Sequence, residues 1–177
     1  MNQTDTTFQV PAGWRRPKTH FMDAHWKDSL SKMVKDNLSG MTDVEKVGHK
    51  ELVRRLLAIG GDGVALRYEE DLDQLLEKAV ISKGSKSRMM KGRPCNCHRN
   101  AANLWYNNRN NEQEVRIATG WALSRDGCWR QHSWAVQLLV NWDVSGYQIL
   151  ETTVRRMVYY GFTLSKEQCE TFYSNQQ

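Results

Sequence analysis

Between Asp23 and Leu38 the apolar residues Trp26, Leu30, Met33, Val34 and Leu38 recur at three- and four-residue steps, the period of one helix face. Asn37, Ser39 and Gly40 end that pattern. A second helix opens at Thr42, where Glu45 three residues on completes a capping-box signature. It carries Val44, Val47, Leu52, Leu56 and Ile59 toward Gly60 and Gly61. A third spans about Glu70 to Ile81, with Leu72, Leu75, Leu76 and Ala79 on one side. Ahead of these, residues 1–20 show no apolar period and are punctuated by Pro11, Gly13 and Pro17, which predicts an irregular arm.

Composition then shifts. Ser82 to Arg93 holds two glycines, three serines and five basic residues, the make-up of a mobile loop. Pro94 and Asn96 precede a short helix from Cys97 to about Tyr106, and Asn107 to Asn111 form a polar turn. From Glu114 to Leu123 the period becomes two, with Val115, Ile117, Thr119, Trp121 and Leu123 on one strand face. Asp126-Gly127 is a hairpin signal, and Trp129 to Val140 is the returning strand. A loop with Asp143, Ser145 and Gly146 leads to a third strand, Tyr147 to Val154. A fourth runs from Met157 to Phe162, and a last helix from Ser165 to Phe172. The expected fold is α+β: N-terminal helices, then a cysteine-bearing helix packed on a C-terminal antiparallel sheet of about four strands. Along the chain this divides into an arm (1–20), a helical subdomain (21–82) and a core with the cysteine helix and sheet (83–177), within one compact domain.

The 177 residues are 40% hydrophobic and 10% aromatic, which suits a globular protein rather than a disordered one. No stretch approaches the ~20 apolar residues of a membrane span, so no membrane association is expected. Met1 to Val10 is polar and lacks an apolar signal region, so a cytoplasmic location is expected. A reducing compartment would leave Cys95, Cys97, Cys128 and Cys169 as free thiols. Cys128 beside the hairpin turn and Cys169 on the last helix read as structural. The net charge of +5 permits nucleic acid as a partner without demanding it.

Three residues stand out for chemistry. Capped by Asn96, Cys97 would sit in the first turn of its helix, where unpaired N–H groups and the positive dipole end favour a thiolate. His132 shares a strand face with Trp134, Val136 and Leu138, and a titratable group on an apolar face needs a partner. Glu151 shares parity with Tyr147 and Ile149, and a carboxylate there is costly unless paired. If the second and third strands are neighbours, His132 and Glu151 meet across the ladder.

This order resembles the papain-like cysteine hydrolase superfamily, in the compact form shared by NlpC/P60-type and transglutaminase-like enzymes. The resemblance covers roughly Gly92 to Phe162. It rests on Cys97-His-Arg-Asn100 opening a helix, on His132-Ser-Trp134, and on Glu151-Thr-Thr153. It implies a papain-like fold and thiol-dependent amide hydrolysis or acyl transfer, of peptidase, amidase or deamidase type. In it Cys97 is the nucleophile, His132 the general base and acid, and Glu151 the residue that orients the imidazole. No cofactor is implied, and a protein or peptide substrate is expected.

For the oxyanion the candidates are the backbone N–H of Cys97, with Asn100 and Gln131 as support, although Gln131 faces away from His132 on an ideal strand. Trp121 and Trp134, on apolar strand faces, and Lys91 and Arg93, in the basic lip beside the cysteines, are candidates for substrate contact. Tyr159 and Tyr160 read as core. His98 diverges from Cys97 by ~100° on a helix, which makes it a poor base for that thiol. Other readings are a zinc site built from Cys95, Cys97, His98 and His132 or Cys128, and a basic nucleic-acid or protein-binding module using Lys83, Lys86, Arg88, Lys91 and Arg93. A papain-like fold kept as a catalytically silent interaction protein is the remaining one.

Overall fold

Among the described residues, three of the five α-helices begin where a side chain takes up an orphan backbone N–H. In the computed structural model, which describes residues 8–20, 23–111, 114–141 and 144–177, Asp23 caps α1 (Ala24–Ser39) by accepting from the N–H of Trp26 at 2.8 Å. Thr42 caps α2 (Asp43–Ile59) with both bonds of the capping box present. Ser165 and Gln168 repeat that device at α5 (Lys166–Ser174). The buried stripe of α2 is His49, Leu52, Leu56 and Ile59. Val44 and Val47, expected on that stripe, are exposed; at 100° per residue they lie about 100° or more from its centre.

The third expected helix is shorter than its apolar period. It ends as α3 (Leu72–Lys78), and the chain continues as strand β2 (Val80–Lys83). Val80 and Ile81 pair with Gly161 and Tyr160 of β7 (Val158–Thr163). Here a free sheet edge outweighs helical spacing, as β-branched residues allow. The expected loop 82–93 is likewise tied down over half its length. Gly84–Lys86 is a 3-10 turn, and β3 (Arg88–Met89) runs parallel to β6 (Val144–Glu151). Of the sequence expectations, residues 1–7 of the arm and Asp143 lie outside the described residues. Gly146 belongs to β6 rather than to a loop.

The expected four antiparallel strands are present as β4 (Val115–Leu123), β5 (Cys128–Asn141), β6 and β7, but the sheet is larger and mixed. It has seven strands in the order β2-β7-β4-β5-β6-β3, and β1 (Gly63–Val64) lies parallel on β5. The three extra strands are two to four residues long, too short for a period of two to register in the sequence. Residue 82 falls inside β2, and the stretch read as a helical subdomain supplies β1 and β2 to the same sheet. At the β4–β5 turn Gly127 has φ +82°, and a Cβ there would stand 2.5 Å from Asp62 Oδ2, so only glycine fits.

Helix α4 (Cys97–Asn108) covers one sheet face, with Ala101, Ala102 and Trp105 against Ile117, Trp121, Leu123 and Trp129. The other face is also buried, around Ala118, Ala122, Trp134, Val136, Ile149 and Tyr159. The arm is pinned to this body where Trp14 Nε1 donates to the Ile59 carbonyl at 2.9 Å and Arg16 to that of Gly61 at 2.6 Å. Among the described residues no helix is long and apolar enough to cross a membrane. Thr42→Ala removes the acceptor of the α2 capping box and should lower stability by about 1 kcal/mol. Urea unfolding checks it: an unchanged midpoint would mean that the cap contributes nothing.

Candidate active site

Strand β6 stops at Glu151 because that side chain turns back on its own backbone. Glu151 Oε1 accepts from the N–H groups of Thr152 and Thr153 and from Thr153 Oγ1, each at 2.9 Å. The amides that would extend the strand are thereby used, which is why the strand expected to reach Val154 ends early. The other oxygen, Oε2, accepts from Tyr159 Oη and His132 Nε2, both at 2.8 Å. Glu151 is 0% exposed and His132 1%, so this is a buried pair with the carboxylate fully hydrogen-bonded. Burial works to raise the Glu151 carboxyl. The His132 hydrogen bond and charge, the Thr153 N–H and the Tyr159 hydroxyl outweigh it and hold the group down to about 2. For His132 burial works the other way, and its bonds to Cys97 and Glu151 raise it above its ordinary value.

His132 occupies a gap in the ladder. The edge of β5 turned away from β4 pairs with β1 at Cys128 and Trp129, and with β6 only from Ala135 onward. Cys97, the first residue of α4, lies close enough to the His132 ring for each to shift the other's protonation. As the first helical residue, Cys97 has an N–H with no intrahelical acceptor. Asn96 does not cap the helix with its side chain, contrary to expectation, because its φ of −128° and ψ of 46° lie outside capping geometry. Cys95 before it has φ +55° and is exposed.

His98, a poor partner on helical geometry alone, also acts on the thiol, lowering it. Its Nδ1 is 2.8 Å from Ser133 Oγ, which donates in turn to Thr119 Oγ1 at 3.2 Å, and this holds the ring toward the sheet beside Cys97. Burial alone would push the Cys97 thiol up. Hydrogen bonds from His132 and His98, with their charges, outweigh burial and bring it down to about 5. Ser133 is the signal that could have pointed to His98, since it lies one residue past His132 and so faces the helix side of β5. Tyr159, read as core, has its ring in the core and its hydroxyl on Glu151.

The supporting residues divide differently from expectation. Asn100 is held on the backbone of Arg93: Oδ1 accepts from the Arg93 N–H at 3.1 Å and Nδ2 donates to the Arg93 carbonyl at 2.7 Å. It ties down the loop that feeds Cys97, with one amide N–H committed to the Arg93 carbonyl. At Gly92 in that loop a Cβ would stand 2.4 Å from the Thr152 carbonyl oxygen, so the loop packs against the Glu151 turn. Gln131 donates to the Tyr68 carbonyl at 2.9 Å and to Glu69 Oε2 at 3.1 Å, on the face opposite His132. Trp121 and Trp134 are buried and cannot form a substrate surface, because both sheet faces are covered. Trp121 Nε1 donates to Glu69 Oε2 at 2.9 Å, and Trp134 stacks on His132 with ring centroids 6.1 Å apart.

Lys91 and Arg93 are exposed and border a cavity of about 400 Å³ with Asn96 and Arg99. His98 and Gln131 border a larger cleft of about 690 Å³, whose wall includes Glu69, Glu70, Asp71 and Glu167. Cys97, half-buried, borders neither; its sequence neighbours Asn96 and His98 border one each. Among the described residues no group of three or more His, Cys, Asp or Glu is arranged to hold a metal ion, so the zinc reading finds no geometry.

Comparison of the chain with protein-family models, with curated proteins and with solved structures gives no match.

The Glu151 carboxyl sits at about 2, below its ordinary 4.5, so its ionised form stabilises the fold. That contribution is complete above pH 4.5 and is lost as pH falls toward 2. Melting temperatures between pH 5 and 2 should therefore fall more steeply for the parent than for Glu151→Gln, which starts lower. Parallel curves would show that the Glu151 charge contributes nothing to stability.

Proposed function

We propose that the chain is a thiol-dependent amide hydrolase or acyl transferase that forms a covalent acyl intermediate on Cys97. The observation that carries this reading is a half-buried thiol brought down to about 5 by two imidazoles, one of them anchored on a buried carboxylate. A thiolate at neutral pH is the species that attacks a carbonyl carbon. The Cys97 N–H is free to hold the developing oxyanion, as a helix-start amide can. The imidazolium of His132 returns a proton to the leaving amine as the tetrahedral adduct collapses to a thioester. Water, deprotonated by the same imidazole, then attacks the thioester, giving a carboxylic acid and restoring the thiolate. An amine in place of water gives transfer instead.

Glu151 orients the ring through Nε2 and stabilises its charged form, the task of the acid in a catalytic triad. The sequence of elements, with cysteine at a helix start, histidine on a following strand and acid on the next, supports reading the chain as a compact papain-like hydrolase of peptidase, amidase or deamidase type. Peptide or protein substrates suit the reading, since the cleft beside His98 is open and large enough for several side chains.

The test is the rate of Cys97 alkylation against pH, resolved from the other thiols by mass spectrometry. In the parent the rate should reach half its maximum near pH 5. In His132→Ala the midpoint should move up toward the roughly 8.5 of a free thiol, and His98→Ala should move it up by less. A parent midpoint at the ordinary thiol value would end the proposal. In the same protein Cys97→Ser should abolish cleavage of amide substrates, while Cys95→Ser leaves it near the parent rate.

A further inference from the structure

Away from Cys97, the residues between β6 and β7 converge with the arm and the β4–β5 turn on a second, very different surface. A cleft of about 370 Å³ is bordered by Arg15, Lys83, Arg125, Arg155, Arg156 and Trp14. Next to it lies a cleft of about 680 Å³ that shares Trp14 and Lys83 and adds Lys86 and Tyr147. Among the described residues no aspartate or glutamate borders either one. Among the described residues none of these six cations takes part in a carboxylate ion pair. Like charges gathered without counter-ions repel one another, and a bound polyanion relieves that repulsion.

Two further features point to a ligand. Arg156 spends one guanidinium nitrogen on Ser124 Oγ at 2.6 Å, while its buried Nε has no acceptor; a buried donor of this kind is costly unless something accepts from it. Trp14 borders both clefts, with its indole N–H fixed on the Ile59 carbonyl and its ring packed against the main core. That makes it a rigid aromatic wall between two groups of cations, with the Lys83 ammonium 5.8 Å from the ring centroid. Tyr147, 47% exposed, is a second ring further along.

Cations that can follow a phosphate backbone, interrupted by aromatic rings on which bases can stack, are the design of single-strand binding surfaces. Neither cleft is enclosed, which suits a strand passing through better than a small anion held from all sides. We propose that this groove binds single-stranded nucleic acid, with phosphates on Arg15, Arg125, Arg155, Arg156, Lys83 and Lys86 and a base against Trp14. The basic stretch 83–93 is thereby divided: Lys83 and Lys86 serve this groove, whereas Lys91 and Arg93 border a different cavity.

The experiment is fluorescence anisotropy of labelled 12-nucleotide single-stranded RNA and DNA with the full chain at 50–200 mM salt. Binding is expected, and it should weaken roughly 100-fold across that range for about five phosphate contacts. Replacing the exposed residues Arg15, Arg125 and Arg155 by alanine together should weaken it roughly 10- to 100-fold and reduce the log–log salt slope by about 2. Replacing Lys32, Lys35 and Lys50 on α1 and α2 by alanine removes the same charge elsewhere and should leave affinity and slope unchanged. No binding at 50 mM salt, or equal losses in the two triple variants, overturns the proposal. So does tighter binding of duplex or of anionic phospholipid vesicles, or displacement of the oligonucleotide by an equal concentration of inorganic phosphate. Cys97→Ser should bind as the parent does, so this groove and the thiol chemistry stand or fall separately.

Discussion

The buried contact between His132 and Glu151 is the constraint around which this end of the sheet is arranged. Two ionisable groups with essentially no solvent exposure would be a liability if either were left alone; removing one partner of such a pair costs about 3–5 kcal/mol. Here the carboxylate accepts five hydrogen bonds, from His132, Tyr159, Thr153 Oγ1 and the amides of Thr152 and Thr153. Three strands are tied through one side chain: β5 through His132, β6 by its own termination and β7 through Tyr159. The electrostatic series continues outward: the carboxylate raises the His132 imidazole above its ordinary value, and the imidazole in turn lowers the Cys97 thiol. Each desolvated group thus has a neighbour that favours its charged form, the condition for such a network to be tolerated in a low-dielectric interior.

Much of this could be read in the sequence where a residue violates the pattern around it. His132 and Glu151 are polar side chains on apolar strand faces, and both are buried against each other. The capping box at Thr42 and the turn at Gly127 were equally legible, because each depends on neighbours in sequence. What was hidden depends on distant partners. Val80 and Ile81 continue a helical period, and only the edge of β7 turns them into a strand. His98 points away from Cys97 by helical geometry, and only Ser133, on another strand, holds its ring beside the sulfur. Trp121 and Trp134 look available for substrate until both faces of the sheet are seen to be covered. That Asn100 clamps the Arg93 backbone was equally hidden, since the contact runs from the helix to the loop before it.

The same carboxylate also links the two surfaces of the molecule. From Glu151 the chain makes its tight turn through Thr152 and Thr153, runs past Arg155 and Arg156, and re-enters the sheet at Val158. One residue later Tyr159 returns its hydroxyl to Glu151. The connection is therefore closed at both ends on one buried group. The two arginines it carries face the basic cleft, where Arg155 also donates to the Ser87 carbonyl at 3.3 Å and Arg156 to Ser124. A short segment anchored in this way has little freedom to move one end without disturbing the other. The guanidinium groups are held by these bonds to Ser87 and Ser124, and the backbone that carries them is anchored at Glu151. The segment that leaves Glu151, which holds the His132 ring, is therefore the same segment that brings Arg155 and Arg156 to the basic cleft.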